Sequence, residues 1–245
     1  MAEPTGPPGG KVALVTGATG GIGRATAVKL GADGFTVIVH GRNAARGADT
    51  VGVIEAAGGQ ARFAAADLSD AAEVTRLGFE SGEVDVLVNN GGFSWFGPTA
   101  DLSTDVFDSL FASNVRAAYQ LVAALAPGMA KRGTGSIISV DSMAGHVGLA
   151  GGAAYGATKA ALTSLTRSWA AEFSPAGVRV NAVAPGPVYT DGADPARTEA
   201  LGATTLLNRG AQAGEIAEVI AFLAGPKASY ITGAVIPVDG GRTAI

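Results

Sequence analysis

Seven short apolar runs, at Val12–Val15, Phe35–Val39, Arg62–Ala65, Val84–Val88, Ser136–Val140, Val178–Val183 and Ala234–Val238, each break into polar or glycine-rich residues. Helix-length stretches separate them. Runs this short and this apolar are strands buried on both faces, and that burial requires a parallel sheet with helices on each side. Parallel neighbours need long crossovers, which the intervening stretches supply. The expectation is therefore an α/β fold: a doubly wound, seven-stranded parallel sheet in one domain. A length of 245 residues accommodates it. Such sheets bind ligands beyond the carboxyl ends of their strands, so the run ends are where chemistry should be sought.

The first run ends in Thr16-Gly17-Ala18-Thr19-Gly20-Gly21-Ile22-Gly23, followed by a helical stretch to about Ala32. Strand, glycine turn and helix start make a phosphate-binding elbow. Glycines permit the tight turn, and the helix N-terminus offers free N–H groups to a pyrophosphate. The second run ends His40-Gly41-Arg42-Asn43. An acid there would bond a ribose 2′-hydroxyl, and an arginine accommodates a 2′-phosphate. With no acid present, Arg42 points to NADP(H), with NAD(H) the alternative. The third run leads to Asp67-Leu68, where Asp67 either bonds an adenine amino group or caps the helix starting near Ser69 or Asp70. The fourth ends Asn89-Asn90-Gly91-Gly92, read either as part of the ligand crevice or as a turn.

Ser103 to Arg132 contains a long helix with Asn114 inside it, an unfavourable place for an amide that competes with the backbone. The fifth run leads into Asp141-Ser142-Met143. Next comes GGAAYGATKAALTSLTRSWAAEF, residues 151–173. On a helix, Tyr155 and Lys159 share one face. A phenol near an ammonium loses its proton more readily, which suits acid/base work. The sixth run ends at Pro185-Gly186-Pro187-Val188-Tyr189-Thr190. Residues 191–210 show no clear period and read as a mobile lid spanning roughly 187–210.

Composition narrows the chemistry. The chain has no cysteine and two histidines, His40 and His146, which argues against a metal site, so none is assigned. Hydrophobic residues make up 47% and charged residues 16%, with a net charge of −4 and no basic run. Nucleic acid and membrane are not expected partners. No apolar run approaches the ~18 residues of a membrane span. The start, MAEPTGPPGG, is not a signal peptide and reads as a flexible lead-in over residues 1–10. A cytoplasmic setting fits these features.

Taken in order, Thr16-Gly17-x-x-x-Gly21-Ile22-Gly23, Asp67, Asn89-Asn90, Asn114, Ser142, Tyr155-x-x-x-Lys159, Pro185-Gly186 with Thr190, and Val238-Asp239-Gly240-Gly241 resemble a classical short-chain dehydrogenase/reductase from Lys11 to Gly241. Within that family the chain is similar to 3-oxoacyl-ACP reductase-like members. One departure is Gly91, where the family carries alanine. The resemblance implies an NAD(P)-dependent oxidoreductase acting on CH–OH donors, moving hydride between nicotinamide and a ketone or secondary alcohol. Tyr155 is the implied general acid/base. Lys159 is implied to ease loss of its proton and bond the nicotinamide ribose, Ser142 to hold the substrate oxygen, and Asn114 to position a relay water. The implied cofactor set is Gly17, Thr19, Gly21, Ile22, Gly23, Arg42, Asp67, Leu68, Asn89, Gly91, Tyr155, Lys159, Pro185, Gly186, Val188 and Thr190.

Phe93, Trp95, Phe96, Met143, His146, Val147 and Tyr189 lie near the catalytic groups in sequence and are expected to line the substrate pocket. They offer no Arg or Lys for a carboxylate, which favours a neutral, hydrophobic small-molecule ketone or alcohol. Lys131, Arg132 and Arg116 leave open a patch for a carrier-bound substrate. Two other classes remain on the sequence alone: a non-catalytic NADP(H)-binding sensor or scaffold, and an isomerase or dehydratase on the same fold. Ala157, Ala160, Ala161, Leu162, Leu165, Trp169 and Phe173 make the 151–173 helix apolar on more than one side. The family pairs this helix between subunits, so a homotetramer is expected.

Overall fold

The computed structural model describes residues 10–245; the lead-in lies outside the described residues apart from Gly10. The main strands are β1 (Val12–Val15), β2 (Thr36–Gly41), β3 (Gln60–Ala65), β4 (Val86–Asn89), β5 (Gly135–Val140), β6 (Val178–Pro185) and β9 (Val235–Val238). All pair in parallel in the order β3-β2-β1-β4-β5-β6-β9. The strand order reverses between β1 and β4, and there a crevice opens.

The central strands are mostly apolar on both faces, and alternate side chains serve different cores. Leu14, Ile38, Leu87 and Ile137 pack under α3 (Ala71–Ser81), α5 (Ala117–Arg132) and α6 (Ala153–Phe173). Val15, Val39, Val88 and Ile138 pack on the opposite face, under α1 (Gly21–Ala32), α2 (Ala44–Ala56) and α8 (Ala213–Ala224). No helix among the described residues is long and apolar enough to cross a membrane.

Helix starts follow their capping residues. Asn43 accepts from the Arg46 amide (3.0 Å) at α2. Asp70, not Asp67, caps α3, accepting from Ala72 and Glu73 amides. Gly133 ends α5 in the left-handed conformation (φ 71°). α1 differs: its N-cap is Gly20, which has no side chain to offer, and no acid occupies its first turn. Its leading amides are left for an external anion.

Two places depart from the sequence reading. The helix expected over Ser103 to Arg132 runs as α4 (Thr104–Phe111), a π turn at Ala112–Arg116 carrying Asn114, and α5. The aperiodic stretch 191–210 contains a helix, α7 (Pro195–Gly202), with Asp194 as N-cap accepting from Ala196 (3.0 Å) and Pro195 at its first position. A short parallel pair, β7 (Val188–Tyr189) with β8 (Ala211–Gln212), clamps the base of this excursion.

Candidate active site

A cleft of about 900 Å³ crosses the carboxyl ends of the strands. A smaller cavity of about 580 Å³ lies at the opposite end of the sheet, among Lys11, Asp85, Gly135 and Val178, and holds none of the groups discussed here.

The phosphate end of the cleft is lined by Gly17, Gly21, Ile22 and Gly23. Gly17 (φ 65°) and Gly21 (φ 50°) occupy conformations that side chains resist. A Cβ on Gly23 would run into the Gly17 carbonyl oxygen and the Asn90 amide. The loop is fastened from beneath. The Thr16 hydroxyl accepts from the Asn90 (2.9 Å) and Gly91 (2.8 Å) amides, and Asn90 Nδ2 donates to the Thr16 carbonyl (2.8 Å). His40 fastens it from the side: the Gly17 amide donates to Nδ1 (3.2 Å), while Nε2 donates to the Ala66 carbonyl (3.1 Å). Burial pushes the imidazole down to about 4, so the ring is neutral and keeps Nδ1 as an acceptor.

Arg42 is exposed at the end of β2, 3.8 Å from Asp67. Asp67 Oδ1 accepts from the Ser69 amide and hydroxyl (both 2.8 Å); those bonds, with Arg42 beyond them, hold its carboxyl below the usual range. Its Oδ2 faces Arg42. Thr19 packs its side chain against Gly41, and its carbonyl accepts from Arg46 Nε (3.1 Å). Leu68 reaches the Gly91 backbone: a Cβ on Gly91 would meet Leu68 Cδ1 at 2.5 Å. Here Leu68 fills the space that an alanine methyl would need. Asn89 is buried, and neither polar atom of its side chain has a partner.

A dinucleotide fits these residues. The glycine cradle, the uncapped α1 amides and the orphaned Asn89 amide are all unmet needs that a phosphate–ribose ligand answers. Thr190 sits over Gly21, its Cβ 3.0 Å from where a Gly21 methyl would stand. Pro185, Gly186 and Val188 continue the wall.

At the other end, three elements converge. Ser142, in extended conformation at the end of β5, accepts from the Ala144 amide (3.2 Å), leaving its hydroxyl proton free to donate. Tyr155 and Lys159 rise from the first turns of α6, with the ammonium 5.6 Å from the phenol ring centre. Lys159 is buried, and its Nζ donates to the Val140 carbonyl (2.7 Å). An ammonium has three donors, so two remain for hydroxyls. Ser142, Tyr155 and Lys159 all line the cleft.

Asn114 stands one layer back. Its Oδ1 accepts from the Phe93 amide (3.0 Å), and its Nδ2 donates to the Phe93 carbonyl (2.9 Å) and the Thr158 hydroxyl (3.1 Å). The side chain that the resemblance assigns to a relay water is thus occupied in clamping the loop after β4 to α6. The π turn beneath it is a feature that recurs at functional sites.

Of the expected pocket residues, Phe93, Phe96 and Met143 line the cleft; Trp95, His146, Val147 and Tyr189 do not. Trp95 lays its ring against Gly97. His146 Nε2 lies 2.7 Å from Asp141 Oδ2, which also accepts from Thr163 (2.6 Å). That carboxylate is fully buried and draws the histidine towards it. Tyr189 faces a separate cavity between α1 and α8. The expectation of a substrate pocket with no Arg or Lys is corrected: Arg197 lines the cleft beside Phe96, while Arg46 lines it near the glycine turn. Arg197 was hidden because α7 was not visible as a helix, although Asp194-Pro195 is a proper cap-and-start pair.

The comparisons agree with this geometry. The family profile described as short chain dehydrogenase matches residues 11–200. The chain is 38% identical to the 3-oxoacyl-(acyl-carrier-protein) reductase of Pseudomonas aeruginosa, over 95% of this chain and 97% of that one. It is 35% identical to the cyclopentanol dehydrogenase of Comamonas sp., over 96% and 97%. A crystal structure of a blue fluorescent protein from a metagenomic library in complex with NADPH superposes with a TM-score of 0.89 at 37% identity, covering 95% and 98%. The chain belongs to the short-chain dehydrogenase family. It is an NAD(P)-dependent oxidoreductase.

Proposed function

We propose that the protein is an NADP(H)-preferring carbonyl reductase or alcohol dehydrogenase of the CH–OH type, with Tyr155 as general acid/base. The observation that carries this is the convergence of Ser142, Tyr155 and Lys159 at the end of a cleft that begins at an uncapped, glycine-lined helix start. The nicotinamide, when bound, supplies or accepts the hydride. Ser142 donates its free hydroxyl proton to the substrate oxygen and holds it beside Tyr155. Tyr155 gives its proton to that oxygen in reduction and takes it back in oxidation. Lys159, anchored on Val140, offers its remaining donors to the ribose and its charge to the phenolate.

For the cofactor, the reading rests on Arg42 at the end of β2, where a 2′-phosphate would be met and where the strand itself ends in no acid; Asp67 lies 3.8 Å from its guanidinium. Arg42 and Asp67 frame the adenosine end, with Leu68 and Asn89 behind them. Residues 187–210 act as the lid, hinged on the β7–β8 pair. The assembly is a homotetramer, a reading supported by the exposed apolar residues Phe107, Tyr119, Leu206, Leu207, Phe222 and Tyr230.

The test is a panel of ketones and secondary alcohols with NADPH and NADH side by side. NADPH is expected to be preferred, and Arg42→Ala to erase most of that preference. Tyr155→Phe should lower kcat by about 10²–10⁴. Near-normal turnover by Tyr155→Phe on every substrate would refute the assignment.

A further inference from the structure

The lid brings a cation to the substrate end of the cleft, and it is held in an unusual way. Arg197, on α7, places its guanidinium carbon 3.7 Å from the centre of the Phe96 ring. Phe96 in turn packs on Tyr155, centres 5.5 Å apart and planes tilted by 57°. These two separations put the guanidinium within about 9 Å of the Tyr155 ring. Stacking uses the face of a guanidinium and leaves its N–H edge free. Among the described residues, no carboxylate lies within ion-pair distance of Arg197. The nearby lid acids are committed: Asp194 caps α7, and Asp191 pairs with Arg46 (3.4 Å). Lys159 spends one donor on Val140 and, on the redox reading, the others on the nicotinamide ribose. Arg197 is the cleft cation on the substrate side with its donors unspent.

We infer that Arg197 is a specificity-determining residue that grips a carboxylate on the substrate, so that the preferred substrate is an oxo acid or hydroxy acid and not a neutral ketone. This rests on the redox reading above. A guanidinium no more than about 9 Å from the Tyr155 ring favours a carboxylate a few bonds from the carbonyl. The phosphate of a carrier arm is too far from its thioester to occupy the same place. A guanidinium fork anchored over an aromatic ring is suited to bidentate capture of a planar carboxylate.

The experiment compares levulinate and acetoacetate with their methyl esters, alongside neutral cyclic ketones, in the wild type, Arg197→Lys and Arg197→Gln. The wild type should favour each acid over its ester by about tenfold or more in kcat/KM, chiefly through KM. Arg197→Gln should bring the acid down to the level of the ester, and Arg197→Lys should fall between. Esters used as well as acids by the wild type, or an acid-to-ester ratio unmoved in Arg197→Gln, would overturn the inference. Turnover confined to neutral cyclic ketones would also overturn it while leaving the redox reading intact. Failure of every carbonyl compound to consume NADPH or NADH would remove both.

Discussion

His40 is a polar residue whose work depends on being uncharged. It accepts from Gly17 only while Nδ1 is unprotonated, and burial holds its pKa at about 4 against an ordinary value of 6.5. The folded state therefore binds fewer protons than the unfolded chain between those values. His40 thus contributes stability that is present above pH ~6.5 and lost as pH falls towards 4, up to about 3 kcal/mol. Denaturant titrations between pH 7 and pH 4.5 should show a shallower fall for His40→Gln than for the wild type. Asn114 gives a second residue-level expectation. Asn114→Ala strands the Phe93 amide and carbonyl, costs about 1–3 kcal/mol, and lowers turnover by loosening the loop that carries Phe96. A variant with unchanged melting temperature and unchanged kcat would contradict the clamp.

Elements were legible where one local rule governs them. Val12–Val15 was delimited as a strand to the residue, and the glycine elbow was recognised because strand, glycines and helix follow within a dozen positions. What sequence could not give were pairings between distant residues. Nothing in Asn114 announces a π turn or a bond to Phe93, 21 positions away. The sequence leaves Asp67 between an adenine bond and a helix cap; the geometry gives the cap to Asp70 and ties Asp67 to Ser69. His146 reads as pocket wall from its position in sequence, yet its ring turns to the buried Asp141 carboxylate, which Thr163 of α6 also contacts. Gly91 carries a prediction at this scale. Gly91→Ala, which restores the family's residue, should cost about 1–3 kcal/mol by overpacking against Leu68. Leu68→Val added to it should recover much of that loss, a coupling that a double-mutant cycle on thermal unfolding would measure. Independent, additive effects would show that Leu68 does not occupy the alanine's space.

Among the described residues, exposed Phe79, Tyr119, Leu207 and Tyr230 lie outside the cleft, with Tyr119 of α5 beside Trp169 of α6. Light scattering at micromolar concentration should report about four times the mass of one chain. Tyr119→Glu should lower that figure if this face joins subunits, and a monomeric mass for the wild type would contradict the assembly.

The strand order also prescribes how the sheet is made. β2 and β3 extend one way from β1, and β4 docks on the other side. From then on every strand adds to the same free edge, β5 on β4, β6 on β5, β9 on β6. No later strand has to be inserted between two already joined. A chain leaving the ribosome can close the Thr16–Asn90–Gly91 ties before Tyr155 has been synthesised. The oxidoreductase centre is then laid down on a finished nucleotide half, and β9 comes last as the strand that covers β6. A chain stopped at Gly233 would leave β6 as a bare edge with unpaired backbone groups beside Val180, Ala182 and Val183, and its yield should move from the soluble fraction to the pellet.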